Sequence, residues 1–179
     1  MKRYIILCIT TFCLFLCANK ANGQTVDFPE FPDENLDNIV VTVDAQGLNF
    51  GSITLRDRTS HGSVKVTTSD MRIPGGDVVL LGGGGGHSAS LSFKMPPNRV
   101  VRITYPPTVD MVGSNGGLLV LNIDEVTVDG APLVNFTFES KPDYSESIVK
   151  IGGELQINPI SSNPAGAYTG LITIEYVLE

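Results

Sequence analysis

The chain has 179 residues, with 12 Lys and Arg against 19 Asp and Glu, and a formal net charge of −7. This acidic balance, with no basic cluster to interrupt it, argues against nucleic acid and anionic membrane surfaces as partners. Because there are only 2 histidines, His61 and His87, a histidine-based acid–base site or metal site has few possible members.

The first 23 residues have the pattern of a secretory signal peptide. Lys2 and Arg3 precede an apolar run over residues 4–17, and Ala21 and Gly23 supply the small side chains that a cleavage site requires. The run is too short to span a bilayer comfortably, so we expect no membrane span after cleavage. An alternative, lipidation at Cys17, would place the bulky Leu16 beside the cut.

Cleavage after Gly23 would change the composition of the chain. The three cysteines, Cys8, Cys13 and Cys17, all precede the cut, so no disulfide and no thiolate metal site would remain. Three cations and no acids would also leave, which makes the net charge 9 − 19 = −10. We expect an exported protein that is periplasmic, bound to the outer cell surface or secreted.

Residues 24–38, QTVDFPEFPDENLDN, are acidic and contain two prolines and no sustained alternation. This composition predicts a flexible N-terminal arm. The arm's apolar residues Val26, Phe28 and Phe31 are the candidates for docking onto a partner, which would be this molecule or another.

A calcium loop is an alternative interpretation of the end of this arm. Asp33, Asn35, Asp37 and Asp44 have the spacing of calcium ligands, but Asn38 stands where the template has glycine, and a strand follows where a helix should begin. We therefore favour an acidic, solvated segment and predict no metal site.

From residue 39 onward, short β-rich runs alternate with Gly, Pro, Asn and Asp, and no helical period is sustained. We predict about ten strands, in the segments NIVVTVDA, GSVKVTT, DVVLL, SASLSFKM, RVVRITY, GLLVLNI, EVTVDG, LVNFTFES, IVKIGGELQI and AYTGLITIEYVLE. Turns are expected at MRIPGGD, MPPNR, YPPTVD, GSNGG, VDGAP and NPISSNPAG. This pattern predicts one all-β domain over residues 39–179, a two-sheet antiparallel β-sandwich.

The alternation within these segments also predicts which side chains face the core. We expect DVVLL to be buried on both faces because it is continuously apolar. The other core candidates are Val64, Val66, Ala89, Leu91, Phe93, Tyr168, Gly170, Ile172, Ile174, Tyr176 and Leu178.

Five consecutive glycines precede a histidine in LLGGGGGHSASLSF. A Walker phosphate loop would need a lysine where Ser88 stands and a helix where a strand follows. GHSAS resembles a nucleophile elbow but lacks its closing glycine and its helix, and His87 and Ser88, as neighbours in a strand, would point to opposite faces. We interpret the stretch as a surface loop that is mobile or docks only with a partner. The candidate binding loop is Gly82, Gly83, Gly84, Gly85, Gly86 and His87.

Several blocks of sequence resemble, in their order, a bacterial secreted family catalogued as a domain of unknown function. They are GLNFGSI, GGDVVLLGGG, ASLSF, VRITYPP, IGGELQI and AGAYTGLITIEYVLE, and the resemblance covers residues 39–178. That family is similar, chiefly in its closing strand, to spore coat protein U-like proteins and to subunits of alternative chaperone–usher pili. The resemblance implies an immunoglobulin-like sandwich that acts as an exported structural or adhesive subunit, with no catalytic residue and no cofactor.

In such pilins a strand from the next subunit completes the fold, so the resemblance implies a protein partner or self-association. The arm departs from this plan because Pro29 and Pro32 lack a ladder donor. The alternative function is a self-contained binding module for a glycan or a host protein. As the chain has no tryptophan, Tyr105, Tyr144 and Tyr168 would then supply the rings for a sugar.

Overall fold

The computed structural model describes residues 3–10, 39–82, 85–143 and 145–179. Strands account for 57% of the described residues, which contain no helix. Within those ranges there is accordingly no helix with the length and apolarity needed to cross a membrane. The predicted all-β class is confirmed.

The described residues form fourteen strands, which we number in chain order. They are β1 (Arg3–Thr10), β2 (Val40–Val43), β3 (Ile53–Leu55), β4 (Gly62–Val66), β5 (Arg72–Gly76), β6 (Val78–Leu80), β7 (Ala89–Lys94), β8 (Val100–Thr104), β9 (Thr108–Gly113), β10 (Leu118–Val128), β11 (Ala131–Pro132), β12 (Thr137–Glu139), β13 (Ser147–Ile157) and β14 (Tyr168–Leu178).

Twelve of these strands form one antiparallel sheet, whose main path runs β12-β8-β14-β9-β10-β13-β4-β5. The strand β7 joins this path at β13 and in turn pairs with β2, while β1 joins at β14 and β11 at β10. The remaining strands, β3 and β6, form a small second sheet.

Two long strands, β13 and β14, allow the large sheet to fold back on itself. The first half of β13 pairs with β7 and its second half with β4, and β14 likewise pairs with β9 at its start and with β8 at its end. As a result, the ring of Phe93 in β7 packs edge-on against Phe138 and Tyr176, with centroid distances of 5.5 and 5.7 Å. The β7 and β14 regions therefore face each other across the core in a sandwich-like arrangement.

The predicted core faces are confirmed wherever the strands alternate regularly. The buried members are Val64, Val66, Ala89, Leu91, Phe93, Tyr168, Ile172, Ile174 and Tyr176. Leu178 is half-buried and packs against this core. The prediction for DVVLL is wrong: Val78 is buried, but Val79 and Leu80 are only half-buried, because β6 belongs to the small two-stranded sheet with β3. Leu81, which follows the end of β6, is 43% exposed.

Some segments predicted as turns also contain strand residues; in VDGAP, Ala131–Pro132 forms β11 directly after the turn at Asp129 and Gly130. In MRIPGGD, Arg72–Gly76 forms β5, because β4 offers a partner in continuous register from Gly62↔Gly76 to Val66↔Arg72. As β5 is an edge strand, it tolerates Pro74, which lacks an N–H. In YPPTVD only the residues 105–107 lie outside strands, and β9 begins at Thr108.

Two other strand predictions need correction. The segments GLLVLNI and EVTVDG form one strand, β10, which pairs with β13 on both sides of an irregularity between Asn122 and Glu125. The first half of LVNFTFES is a turn, because Asn135 and Phe136 have φ angles of 54° and 60°, and only Thr137–Glu139 forms a strand. The short β3 was not predicted, since its three residues are too few to show a period.

The predicted turns at MPPNR, GSNGG and VDGAP are confirmed by left-handed backbone. Asn98 has a φ of 59°, Gly116 and Gly117 have φ angles of 86° and 87°, and Asp129 and Gly130 have φ angles of 50° and 83°. Asn, Asp and Gly are the residues that accept this conformation at least cost.

Part of the predicted signal peptide lies in the sheet. Arg3–Thr10 forms β1, which runs antiparallel to β14 from Arg3↔Tyr176 to Thr10↔Thr169. Residues 11–38, with the predicted cleavage site and the arm, lie outside the described residues. The division into residues 1–23, 24–38 and 39–179 stays a prediction.

Candidate functional site

The last strand, β14, has a different set of partners on each of its edges. One edge pairs with β9 at Tyr168–Thr169 and with β8 at Glu175–Leu178. Because Thr169, Glu175 and Tyr176 also pair with β1, that strand must lie on the opposite edge. We call this opposite edge, over Thr169–Tyr176, the β14 edge.

Within the described ranges, β1 is the only strand that covers the β14 edge. Its eight residue pairs run without a register shift. The side chains of Ile172 and Ile174, in the middle of this edge, are 0% and 1% exposed. Without β1 the edge would present unpaired N–H and C=O groups next to the core, which is a template for another strand.

On the other side of β14 the ladder is interrupted. No residue in 170–174 pairs with β8 or β9, because residues 105–107 depart from the strand and include two prolines, which have no N–H to donate. A cavity of about 580 Å³ opens at this interruption. We call it the groove; it is lined by Thr104, Tyr105, Pro106, Thr108, Val109, Asp110, Leu171, Thr173 and Glu175.

One aromatic ring, that of Tyr105, lines the groove, and a second ring outside the lining packs against it. The half-buried ring of Tyr105 meets Phe136 edge-on, with centroids 5.5 Å apart and an interplanar angle of 60°. The Ile103 amide donates to the Phe136 carbonyl at 2.8 Å, which holds the backbone of Phe136 in its left-handed conformation. Burial raises the pKa of Tyr105 above its ordinary value.

Apart from the aliphatic side chains of Val109 and Leu171, the rest of the groove lining is polar. Asp110 and Glu175 contribute carboxylates, and three threonines contribute hydroxyls. Among the described residues, none of these five side chains makes a hydrogen bond or an ion pair to another group. Their hydrogen-bonding capacity therefore points to solvent or to a ligand.

The structure anchors the predicted glycine-rich loop at its C-terminal end. The amide of His87 donates to the Asn49 carbonyl and the His87 carbonyl accepts from the Asn49 amide, both at 2.9 Å. Gly86 packs over Arg72, so that a Cβ at Gly86 would lie 2.6 Å from the Arg72 side chain.

Gly82 and Gly85 are exposed, and a Cβ at either would meet no atom within 4 Å. Gly83 and Gly84 lie outside the described residues. Docking of this loop to a partner stays a prediction.

Ser88, beside this loop, belongs to a group of hydrogen-bonded polar residues that was not predicted from the sequence. We call this group, which consists of Asp70, Ser88 and Lys150, the polar clamp. The Ser88 hydroxyl and amide donate to Asp70 Oδ1 at 2.6 and 2.8 Å, and Lys150 Nζ donates to Asp70 Oδ2 at 3.0 Å. Burial alone would raise the pKa of Asp70, but the Ser88 hydrogen bonds and the Lys150 ammonium outweigh it and lower the pKa to about 2.

The His87 Nδ1 lies 3.3 Å from the Ser88 carbonyl oxygen, and the Ser88 hydroxyl donates to Asp70 Oδ1 and not to the imidazole. The serine proton points to a carboxylate instead. This clamp joins β13 and the residue directly before β7 to the turn that carries Asp70, which is a structural arrangement.

The remaining predicted site residues are dispersed or lie outside the described ranges. Tyr168 is buried and its hydroxyl donates to the Pro164 carbonyl at 2.7 Å, so of the three predicted sugar-stacking tyrosines only Tyr105 is placed in the groove. The residues outside the described ranges are Val26, Phe28, Phe31, Asp33, Asn35, Asp37 and Tyr144. Across the described part of the chain, no group of three or more His, Cys, Asp and Glu side chains has an arrangement that could hold a metal ion.

Comparison with known proteins gives one match. No curated protein and no solved structure shows significant similarity to the chain. A family model described as "Domain of unknown function (DUF4402)" matches residues 40–177, close to the range over which the sequence resembles a family of that kind. The chain therefore belongs to the DUF4402 family.

Proposed function

We propose that this protein is an exported, non-enzymatic structural or adhesive subunit of the bacterial cell surface. In this proposal it has a pilin-like, immunoglobulin-like sandwich and assembles by β-strand addition at the β14 edge. The observation that carries the proposal is that β1, the strand covering this edge, lies within the predicted signal peptide. Export would remove that strand and leave the edge to be filled by another one.

Backbone hydrogen bonds and apolar burial would both stabilise a strand added at the β14 edge. An exposed row of N–H and C=O groups favours pairing with any extended segment that reaches it. On the β14 edge this row flanks Ile172 and Ile174, whose side chains belong to the core. A replacement strand would therefore gain hydrogen bonds and cover apolar surface at the same time.

We assign the replacement strand to the N-terminal arm of a second copy. Val26 and Phe28 alternate with polar residues over 24–28, a stretch without proline, so both apolar side chains would face the core from one side of the added strand. Pro29 follows directly and limits the ladder, since proline is tolerated at an edge or a strand end but not within a paired strand.

The arm of the same molecule is the competing occupant of the β14 edge. Val41 pairs with Phe93, whose ring contacts Tyr176, so β2 begins near the Tyr176 end of β14. A strand that runs like β1 ends at Thr169, and returning along β14 over the seven residue steps to Tyr176 would cover about 23 Å. The connection over residues 29–39 spans at most about 36–40 Å when fully extended, so its length does not exclude this occupant, and a test of the proposal must distinguish the two copies.

An exposed apolar group close to the start of β14 supports subunit contact. Val112, Leu118 and Leu171 are 58%, 47% and 48% exposed. Val112 pairs with both Leu118 and Thr169, so the first two side chains lie side by side next to β14. Neighbouring apolar side chains of this kind are typical of interaction surfaces.

The test compares the oligomeric state of arm variants purified from native cell envelopes. The double variant Val26→Asp, Phe28→Asp should be monomeric by native mass spectrometry, because carboxylates cannot be buried beside Ile172 without a partner. The matched control Asn35→Asp, Asn38→Asp adds the same charge to the same arm and should form the oligomers of the unmodified protein. Identical oligomer distributions in the two variants, or an unmodified protein that is monomeric at every concentration, would refute the proposal.

A further inference from the structure

We propose that the groove between β14 and the kinked β8–β9 connection binds a neutral sugar unit of a glycan. The groove lies on the side of β14 opposite to the β14 edge, so this inference does not depend on assembly by strand addition. Its volume of about 580 Å³ falls in the range of small-ligand sites, about 300–1,000 Å³.

The interrupted ladder is the first observation that points to a ligand. Over residues 170–174 the backbone of β14 has no strand partner on the groove side. Backbone polar groups that line a cavity need water or a ligand as a partner. Sugar hydroxyls both donate and accept, so they can satisfy N–H and C=O groups alike.

The aromatic ring in the groove lining is the second observation. Tyr105 and Pro106 offer flat apolar surfaces of the kind that suits the C–H face of a pyranose ring. Phe136, which supports Tyr105, is 52% exposed and has a φ of 60°. A bulky residue in this conformation is a backbone outlier, and such strain concentrates at binding sites.

The polar lining is the third observation, and it selects the class of sugar. The carboxylates of Asp110 and Glu175 accept hydrogen bonds from hydroxyls, and the threonines lining the groove both donate and accept. An acidic sugar would be repelled by these two carboxylates and by the exported chain's net charge of 9 − 19 = −10. A neutral, hydroxyl-rich unit can hydrogen-bond to the carboxylates and to the threonine hydroxyls of the lining.

The experiment uses the exported protein on a glycan array that carries neutral and acidic glycans, followed by calorimetry with the neutral glycans that bind. We expect binding to neutral glycans and none to acidic ones. Tyr105→Ala and Glu175→Gln should each weaken binding at least tenfold, whereas Tyr105→Phe, which keeps the ring, should weaken it less than threefold. Glu139→Gln, an exposed carboxylate outside the groove, is the matched control for charge and should leave binding unchanged.

The variant Phe136→Gly tests whether glycan binding can be weakened without lowering the stability of the fold. Glycine accepts the left-handed backbone at position 136, so the melting temperature should not fall while binding weakens. The proposal is overturned if no neutral glycan binds, if acidic glycans or basic peptides bind instead, or if Tyr105→Ala and Glu175→Gln bind as well as the Glu139→Gln control.

Discussion

At the scale of single residues, Gly152 shows how closely the strands approach at the centre of the sheet. A Cβ at this position would lie 2.5 Å from the Val66 carbonyl oxygen, and backbone cannot move aside as a flexible side chain can. We predict that Gly152→Ala lowers the free energy of unfolding by about 1–3 kcal/mol, the usual cost of overpacking. Urea unfolding measures this change.

The control for this substitution is Gly82→Ala. A Cβ at Gly82 meets no atom within 4 Å, so the free energy of unfolding should change by no more than about 0.5 kcal/mol. Equal losses at the two glycines would mean that strand spacing at β13 is not as tight as the structure has it.

The lowered pKa of Asp70 in the folded protein leads to a prediction about the free energy of unfolding at low pH. The pKa of about 2 in the folded protein lies below the ordinary value of 3.8, so the contribution of Asp70 is complete above pH 3.8 and disappears as the pH falls towards 2. Because the side chain is 43% exposed, we reduce the expected loss for solvent screening to about 1 kcal/mol.

The measurement is the free energy of unfolding between pH 5 and pH 2 for the unmodified protein and for Asp70→Asn. Asparagine tolerates the left-handed backbone of residue 70, which has a φ of 64°, so the variant changes mainly the charge. The acid-dependent loss should be about 1 kcal/mol smaller in Asp70→Asn. Parallel curves for the two proteins would show that the clamp contributes nothing to acid stability.

At the scale of elements, we expect hydrogen exchange at the β14 edge to differ between the chain before cleavage and the chain after it. We predict that the backbone amides of Thr169–Tyr176 exchange hydrogen more slowly in the full-length chain than in monomers of a chain starting at residue 24, because only the former retains β1. Hydrogen-exchange mass spectrometry reports this difference. Peptides from the first half of β13, which β7 and β10 cover on both edges, serve as the internal reference and should not change.

Some strands could be predicted from sequence, and their local composition explains which. In β7 apolar and polar residues alternate over the whole strand, and in β14 one face is apolar while the other is mixed, so the buried side chains of both strands were predicted correctly. β10 was predicted as two strands because Asn122, Asp124 and Glu125 interrupt the apolar pattern at its irregularity, where Asp124 and Glu125 instead contact Lys65. In β5 the strand depends on pairing with β4, since its sequence RIPGG by itself favours a turn.

The candidate site could be predicted only in part, for reasons of sequence separation. Tyr105 was identified as a ring available to a ligand, but nothing local relates it to Leu171 and Glu175, which meet it only through the pairing of β8 with β14. Likewise, Asp70 and Lys150 are 80 residues apart in the chain. The run of glycines is an unusual local composition, so the sequence predicts a candidate loop there, whereas the residues that line the groove are of common types and come from separate segments of the chain.

At the scale of the whole molecule, one aromatic cluster joins the two facing parts of the sheet. Phe93 is fully buried and contacts rings in both β12 and β14. We predict that Phe93→Ala lowers the free energy of unfolding by about 3–5 kcal/mol, through lost burial and the cavity left behind. Chemical denaturation tests this, with Ile73→Ala as the control, since Ile73 is 46% exposed; a loss below about 1 kcal/mol for Phe93→Ala would contradict the sandwich-like packing.

Assembly is the central claim at this scale, and photo-crosslinking between isotopically distinct copies tests it most directly. A benzophenone amino acid replaces Phe28 in the exported protein, and light and heavy preparations are mixed as monomers, allowed to assemble and irradiated. We predict adducts that join a light chain to a heavy chain, with one end at residue 28 and the other on or beside Thr169–Tyr176 of β14. Adducts to β14 confined to chains of the same isotope would show that the arm closes its own fold, and adducts that avoid β14 would show that the edge is not filled by the arm.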